Sequence, residues 1–316
     1  MKQKQNSASD GNLASDISLS GIWQIMPQSW HPAISMMRLD RPIGWWLLLL
    51  PGWWVILQSA HTLADAVFYM MLFLIGAVAM RAAGCIINDL FDQDIDQKVA
   101  RTAARPLASG SLSVTSALML LGGLGVIGLL ILLQLPFRAW LMGLASLPFI
   151  VTYPLFKRFT YWPQAMLGLT FSWGILLGHV TITDDWPSTS VIWLYAGTVF
   201  WVIGYDTIYA IQDMKDDVIS GVKSSALAMQ NHITKGVSLF YALTVLLLGI
   251  GFYLHFGRLY LWTIGLGLMG LHLIWQCVQI DEDNPKIALR LFQSNRDAGL
   301  LLSAGLFAEL LAKQNF

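Results

Sequence analysis

The sequence predicts an all-α, polytopic membrane protein with nine transmembrane helices. Hydrophobic residues make up 56% of the 316-residue chain, charged residues only 12%, and the mean hydropathy is +0.58. A soluble domain carries about 25% charged residues, so this chain has too few to cover the surface of a water-soluble fold. Nine apolar runs approach or reach the roughly 20 residues that a helix needs to cross a bilayer.

The nine apolar runs define the predicted elements in order. They cover residues 42–60, 65–87, 114–135, 139–153, 163–181, 191–211, 237–256, 260–278 and 298–311. The fourth and ninth runs are the shortest, so their ends are the least defined. Before the first run, residues 1–35 are predicted to be a polar, partly disordered tail, and residues 36–316 form one membrane domain.

Net charge and cysteine content exclude several other classes of protein. The 19 basic and 19 acidic residues cancel, which argues against a nucleic-acid partner. Only two cysteines occur, Cys85 and Cys277, and both lie inside apolar runs. We therefore expect buried thiols rather than a disulfide or a metal pair. The partner that composition does predict is the lipid bilayer, and the question of protein partners stays open.

The basic residues are divided unequally between the two sides of the membrane. With nine spans, all but Arg138, Arg258 and Lys313 fall on the side of the N-terminus. The positive-inside rule then places the N-terminus in the cytoplasm and the C-terminus outside. Because Asp10, Asp16 and the absence of Arg from residues 1–30 count against a mitochondrial transit peptide, we expect a bacterial inner membrane, with the mitochondrial inner membrane as the alternative.

A cluster of oxygen ligands follows the second run. Asn88, Asp92 and Asp96 fall within an arc of about 80° on a helix, and Asp89 lies close to Asp92. Carboxylates this crowded are unfavourable unless cations neutralise them. Oxygen ligands without His or Cys favour Mg²⁺, which proteins often hold together with substrate phosphates. These residues are therefore predicted to bind Mg²⁺.

A second acidic stretch ends the sixth run. Asp206, Asp213 and Asp217 would lie within about 40° of arc on a continuous helix. Asp206 is surrounded by apolar sequence, where an ionisable residue indicates a functional site. Asp213 and Asp217 are predicted to share the metal with the first cluster. The alternative is that both stretches are solvated acidic turns.

Basic residues accompany both acidic stretches on the same side of the membrane. They are Arg101, Arg105, Lys157, Arg158 and Lys223. Carboxylate-bound Mg²⁺ beside Arg and Lys is an arrangement that clamps a diphosphate. At a membrane surface this predicts a polyprenyl diphosphate, and aromatic residues such as Tyr205 are candidates to face its allylic cation. The alternative for the basic residues is that they only anchor the topology.

Together these motifs resemble the UbiA-type intramembrane prenyltransferases. The family pattern N-D-x-x-D-x-x-x-D is matched at 88–96, R-T-x-x-R-P-[LI]-x-S-G at 101–110 and D-x-x-x-D at 213–217. The Y-x-x-x-K element is matched at Tyr153 and Lys157. Longer strings, such as R-L-D-R-P-I-G at 38–44, resemble the 4-hydroxybenzoate polyprenyltransferase branch of the family.

The resemblance implies a fold and a reaction. The fold is nine helices around a central cavity with a cytoplasmic polar cap. The reaction is Mg²⁺-dependent transfer of a polyprenyl group from polyprenyl diphosphate to 4-hydroxybenzoate, ortho to its hydroxyl, in ubiquinone biosynthesis. By resemblance the catalytic residues are Asp92, Asp96, Asp213, Asp217, Tyr153 and Lys157. Asp206 and Tyr205 support the substrate site, and Arg38 or Arg41 is expected to bind the acceptor carboxylate.

Two other functions stay open at this point. A related enzyme could prenylate another acceptor, as in haem O, menaquinone or homogentisate prenylation. A cation transporter would also carry acids within the membrane, but they would lie near mid-span along a path to the opposite side. Most acids here lie at the ends of runs on the N-terminal side, which favours the enzyme.

Overall fold

The computed structural model describes residues 25–98, 102–214, 217–218 and 221–314, and the regular structure within these ranges is helical without a strand. Predicted site residue Arg101 and most of the predicted tail lie outside them. The α-helices are α1 (His31–Met36), α2 (Ile43–Ser59), α3 (Leu63–Asp96), α4 (Val114–Leu132), α5 (Phe137–Phe156), α6 (Pro163–Phe171), α7 (Trp173–Thr183), α8 (Thr189–Ala210), α9 (Ser225–Met229), α10 (Ile233–Phe256), α11 (Leu261–Gln279) and α12 (Pro285–Gln314). Short 3-10 turns occur at Gln28–Trp30, Ile211–Asp213 and Gln230–His232.

The helices agree with the predicted membrane class. Each predicted apolar run lies largely within a helix or, for 163–181, within the pair α6 and α7. Seven helical segments of the described chain are long and apolar enough to cross a membrane. Helix α2 is apolar but has only 17 residues, and α12 is not among the seven. The all-α membrane fold is confirmed, whereas the count of nine spans is not.

Helix α3 places the first acidic cluster at the membrane boundary. Its first turn is capped by the Thr62 hydroxyl, which accepts a hydrogen bond from the Asp65 amide at 3.1 Å. Its 34 residues extend for about 51 Å, well beyond the roughly 30 Å of the hydrocarbon core. The final turns therefore leave the hydrocarbon, and they carry Asn88, Asp89, Asp92 and Asp96 as helical side chains.

Helix α2 lies in the interior of the bundle. It packs against α3, α7 and α12, while α8 packs along α10 and α11 along α12. Trp54 and Trp201 are fully buried with ring centroids 5.0 Å apart, and the Trp54 indole donates to the Gly299 carbonyl at 3.1 Å. Helix α4, by contrast, buries only Ala117, so its apolar surface is suited to lipid. The core therefore holds the inner helices together beneath the acidic helix ends.

The contact between α11 and α12 depends on glycine at two facing positions. A Cβ atom on Gly265 would lie 2.8 Å from the Gly305 Cα and 3.0 Å from the Leu301 carbonyl oxygen, both of which are backbone atoms. We expect Gly265→Ala to lower the free energy of unfolding by about 1–3 kcal/mol through overpacking. Thermal unfolding of the purified protein in detergent measures this loss.

Gly267 on the same helix is the matched control. No atom lies within 4 Å of a Cβ built there. Gly267→Ala should therefore keep or raise the unfolding midpoint, since alanine favours helix more than glycine does. Equal unfolding midpoints for the two variants would show that close packing of α11 on α12 does not require Gly265.

Candidate active site

A cavity of about 850 Å³ opens among the ends of α3 and α8, the start of α2, and α12. Both acidic stretches contribute to its walls, so the fold brings together sequence segments more than 100 residues apart. The predicted site residues that line it are Arg38, Arg41, Asn88, Asp89, Asp96, Arg105, Tyr153, Lys157, Tyr205, Asp206, Asp213, Asp217 and Lys223. The cavity thus combines acidic, basic and aromatic side chains at one end of the bundle.

The second acidic stretch differs from its prediction in backbone geometry. Helix α8 ends at Ala210 and the chain continues as a 3-10 turn over Ile211–Asp213, so the expected continuous helix is interrupted. Asp206, Asp213 and Asp217 nevertheless all reach the cavity wall. The tighter turn changes the angular spacing of these side chains but leaves them on the same side.

Asp92 lies just behind the cavity wall and is paired with two cations. Its side chain is 1% exposed and contacts the Lys157 ammonium directly. Arg158 Nη2 lies 3.8 Å from Asp92 Oδ1 and also donates to the Phe91 carbonyl at 2.7 Å. Asp92 Oδ1 accepts no hydrogen bond within the described chain. Arg158 itself is exposed and does not line the cavity.

Asp89 and Asp96 are bridged by arginine. Arg38 Nη2 donates to both Asp89 oxygens at 2.9 and 2.8 Å. Arg105 Nη1 lies 3.3 Å from Asp89 Oδ1 and 2.8 Å from Asp96 Oδ2. Burial alone would lower the pKa of Arg105, but these two carboxylates outweigh burial and raise its pKa above the ordinary value. Arg105 therefore stays cationic at the cavity wall.

Arg81 is a cavity residue that the sequence reasoning did not single out. It lies in the interior of α3 rather than near a helix end, and its guanidinium contacts the Cys85 sulfur at 2.7 Å. It is also 5.8 Å from the centroid of the Phe171 ring. Arg81 precedes Asn88 by seven residues, two helical turns, so it falls on the same face as the acidic cluster. That spacing is the signal that could have identified it.

The donors around the cavity fit a divalent cation that prefers oxygen. Within the described residues, no three His, Cys, Asp or Glu side chains are already gathered as a metal site. The physical reason is that three of the predicted ligands form ion pairs instead. Lys157 pairs with Asp92, Arg38 pairs with Asp89, and Arg105 pairs with both Asp89 and Asp96. The Oδ1 of buried Asp92 accepts no hydrogen bond within the described chain, and Asn88, Asp96, Asp213 and Asp217 supply hard oxygen donors to a cavity that Cys85 and His272 also line.

Comparison with solved structures supports this fold. A UbiA homologue from Aeropyrum pernix K1 is 28% identical, with a TM-score of 0.70 over 84% of this chain and 97% of that chain. A UbiA homologue from Archaeoglobus fulgidus bound to GPP and Mg²⁺ has a TM-score of 0.64 at 19% identity, over 88% of this chain and 98% of that chain. The same homologue is also known bound to Cd²⁺. These neighbours share the helical fold of this chain.

Relatives found by sequence are more similar to this chain than these solved structures are. The 4-hydroxybenzoate polyprenyltransferase, mitochondrial, of Caenorhabditis elegans is 42% identical over 92% of this chain and 82% of its own length. The proteins of the same name from Saccharomyces cerevisiae and Homo sapiens are each 40% identical, over 91% and 94% of this chain and 78% and 80% of theirs. This chain therefore covers most of each relative.

These relatives correct the expected location. They are mitochondrial proteins of eukaryotes, so the prediction of a bacterial inner membrane is wrong and the comparison points to a mitochondrial membrane. The positive-inside rule orders the two sides of a membrane without identifying the membrane. The choice of organelle therefore depended on Asp10, Asp16 and the absence of Arg from residues 1–30, which are weak evidence.

The family assignment follows from the extent of these matches. The sequence profile of the UbiA prenyltransferase family matches residues 48–299, which include both acidic stretches and the basic residues between them. A transferase is therefore favoured over the cation transporter considered above. The cavity, its acidic and basic walls and the sequence matches lead to one conclusion: the chain belongs to the UbiA prenyltransferase family.

Proposed function

We propose that this protein transfers a polyprenyl group from polyprenyl diphosphate to the ring of 4-hydroxybenzoate, with Mg²⁺, in ubiquinone biosynthesis. One observation carries the proposal. Asp residues at the ends of α3 and α8 line the same cavity as Arg and Lys side chains, at the membrane boundary. A diphosphate and its metal require both kinds of charge in one place. The identity of the acceptor comes from the named relatives.

The acidic end of the cavity is suited to hold the diphosphate. Asn88, Asp92, Asp96, Asp213 and Asp217 would hold the metal, which when bound would neutralise charge on the departing diphosphate. Lys157, Arg105 and Lys223 provide the positive charge for the remaining phosphate oxygens. Tyr153 and Tyr205 belong to the apolar and aromatic wall below, where the first carbons of the prenyl chain would lie.

We assign the acceptor carboxylate to Arg81 rather than to Arg38 or Arg41. Arg38 is engaged by Asp89, and Arg41 lies 3.4 Å from Asp40. Arg81 reaches the cavity about 10 Å deeper along α3 than Asn88, and its buried Nε makes no hydrogen bond within the described chain. A guanidinium with an unbonded donor suits a carboxylate. The aromatic ring would then lie between Arg81 and the diphosphate.

The residues suggest how the reaction proceeds. The bond between the allylic carbon and the diphosphate oxygen breaks, and the ring carbon ortho to the hydroxyl forms a bond to that carbon. The ring proton then leaves to an oxygen of the departing diphosphate, which restores the aromatic ring. Walls formed by Leu47, Leu167 and Phe171 keep water from the allylic cation.

Purified protein in liposomes, supplied with 4-hydroxybenzoate, Mg²⁺ and prenyl diphosphates of several lengths, tests the function. We expect a product whose mass equals the acceptor plus the prenyl group minus one hydrogen, with release of diphosphate. Parallel reactions with homogentisate and a dihydroxynaphthoate test the alternative acceptors. Faster prenylation of either one, or no prenylation of 4-hydroxybenzoate, would overturn the acceptor assignment.

A further inference from the structure

We propose that Asp89 is a positioning residue for two arginines at the diphosphate site and is not itself a metal ligand. This inference deepens the proposed function and rests on it. It departs from the expectation that every member of the first acidic cluster binds the metal. The basis is the arrangement of Arg38, Asp89 and Arg105, which link a segment before α2, helix α3 and the loop after α3.

The carboxylate of Asp89 is fully engaged by cations. It is 1% exposed, and its Oδ1 receives Arg38 at 2.9 Å and Arg105 at 3.3 Å while its Oδ2 receives Arg38 at 2.8 Å. Asp92, in contrast, keeps one oxygen without a hydrogen bond. A metal at Asp89 would have to displace a buried guanidinium from a two-bond contact, whereas a metal at Asp92 would not.

Arg38, which makes this contact, also has an unusual backbone conformation. Its φ is +54°, in the left-handed region that costs free energy for a residue with a side chain. Its Nη1 donates to the carbonyls of Ser35 at 2.7 Å and Met36 at 3.3 Å, at the end of α1. Its Nη2 donates to the Asp89 carboxylate. The guanidinium thus fastens the segment between α1 and α2 to α3, beside the cavity mouth.

The orientation of Arg105 is set in part by its contact with the same Asp89 carboxylate. Within the described chain its hydrogen bonds all come from Nη1, to Asp89 and Asp96. The guanidinium is planar, so fixing Nη1 sets the direction of Nε and Nη2 as well. Because Arg105 lines the cavity, those donors are placed to bind a diphosphate oxygen. Asp89 would then contribute to substrate affinity without touching the substrate.

The test separates metal binding from diphosphate binding in the Asp89→Asn variant. Mn²⁺ binding to the purified full chain is measured by electron paramagnetic resonance, and a non-reactive prenyl thiodiphosphate is titrated separately by calorimetry with Mg²⁺ present. We expect Mn²⁺ binding to change less than about threefold, while affinity for the thiodiphosphate falls about 10-fold to 100-fold from the misplaced arginines. Asp213→Asn, which changes a proposed ligand, should instead weaken Mn²⁺ binding.

Two outcomes would overturn the proposal. One is a loss of Mn²⁺ binding in Asp89→Asn as large as in Asp213→Asn, which would make Asp89 a ligand. The other is unchanged affinity for the thiodiphosphate. Neither measurement uses an acceptor, so a failure of the assignment to 4-hydroxybenzoate would appear only in product analysis and would not be confused with either outcome.

Arg38→Gln provides a second test that leaves the carboxylate in place, in case Asp89→Asn does not yield folded protein. It should also keep Mn²⁺ binding and weaken the thiodiphosphate, and combining it with Asp89→Asn should add less than the sum of the two effects, because both act through one contact. Arg38→Lys keeps the positive charge but not the planar group that donates to both carboxylate oxygens. It should therefore recover part of the affinity for the thiodiphosphate. Retained affinity in Arg38→Gln would contradict the proposal.

Discussion

Asp213→Asn is expected to lower kcat for prenyl transfer by about 10³-fold while the protein still folds in the membrane. Asp213 ends the 3-10 turn after α8 and faces the acidic end of α3 across the cavity. Asparagine keeps the shape of the side chain but removes a negative charge that would bind the metal cation. The rate of product formation at saturating substrates, measured in liposomes, tests this expectation.

Asp94→Asn is the control for the loss of one carboxylate. Asp94 lies on α3 within the same acidic cluster, but its side chain is exposed and does not line the cavity. The Asp94→Asn variant should therefore retain most of the prenyl-transfer activity. Turnover of Asp213→Asn within tenfold of the parent would remove Asp213 from the proposed metal site, provided that both variants show the same unfolding midpoint.

The membrane fold could be predicted because hydropathy and helix length are local properties of the sequence. Apolar runs of about 20 residues can satisfy their backbone in lipid only as helices here, and all nine runs became helical. The ends were less predictable. Helix α3 continues to Asp96, nine residues past the predicted end at 87, because polar residues that would end a membrane span do not end a helix.

Most of the residues that line the cavity could be predicted from the sequence, but their pairings could not. Helical spacing predicted Asn88, Asp92 and Asp96 on one face of α3; in the structure Asn88 and Asp96 line the cavity, whereas Asp92 lies behind its wall. Which cation meets which carboxylate depends on how separate helices pack. The contact of Arg38 with Asp89 spans 51 positions and needs a residue with positive φ, and neither feature has a local signal in the sequence.

Arg81 shows that a basic residue can belong to a site as well as contribute to the charge difference between the two sides of the membrane. In the structure it lies within the membrane part of α3 and lines the cavity. A cation in that position is costly unless it has a partner or a function. Its spacing of two helical turns from Asn88 places it on the same face as the acidic cluster.

Arg81→Ala is expected to raise KM for 4-hydroxybenzoate about 100-fold and to change KM for the prenyl diphosphate less than about threefold. The reason is that a carboxylate bound away from water loses its charged hydrogen bonds. Initial rates at varied acceptor and varied diphosphate concentrations separate the two constants. A rise confined to KM for the diphosphate would instead assign Arg81 to the other substrate.

A comparison of acceptors makes the assignment sharper. The parent enzyme should favour 4-hydroxybenzoate strongly over 4-cresol, which has a methyl group in place of the carboxylate, and Arg81→Ala should lose most of that preference. Gly44→Ala should have a smaller effect in the same direction, because a Cβ there would lie 2.5 Å from Arg81 Nε and push the flexible guanidinium aside. If both variants keep the preference of the parent, the carboxylate is recognised elsewhere. If both variants lose the preference for 4-hydroxybenzoate, the absence of a side chain at Gly44 leaves the space that the Arg81 guanidinium needs to select the acceptor.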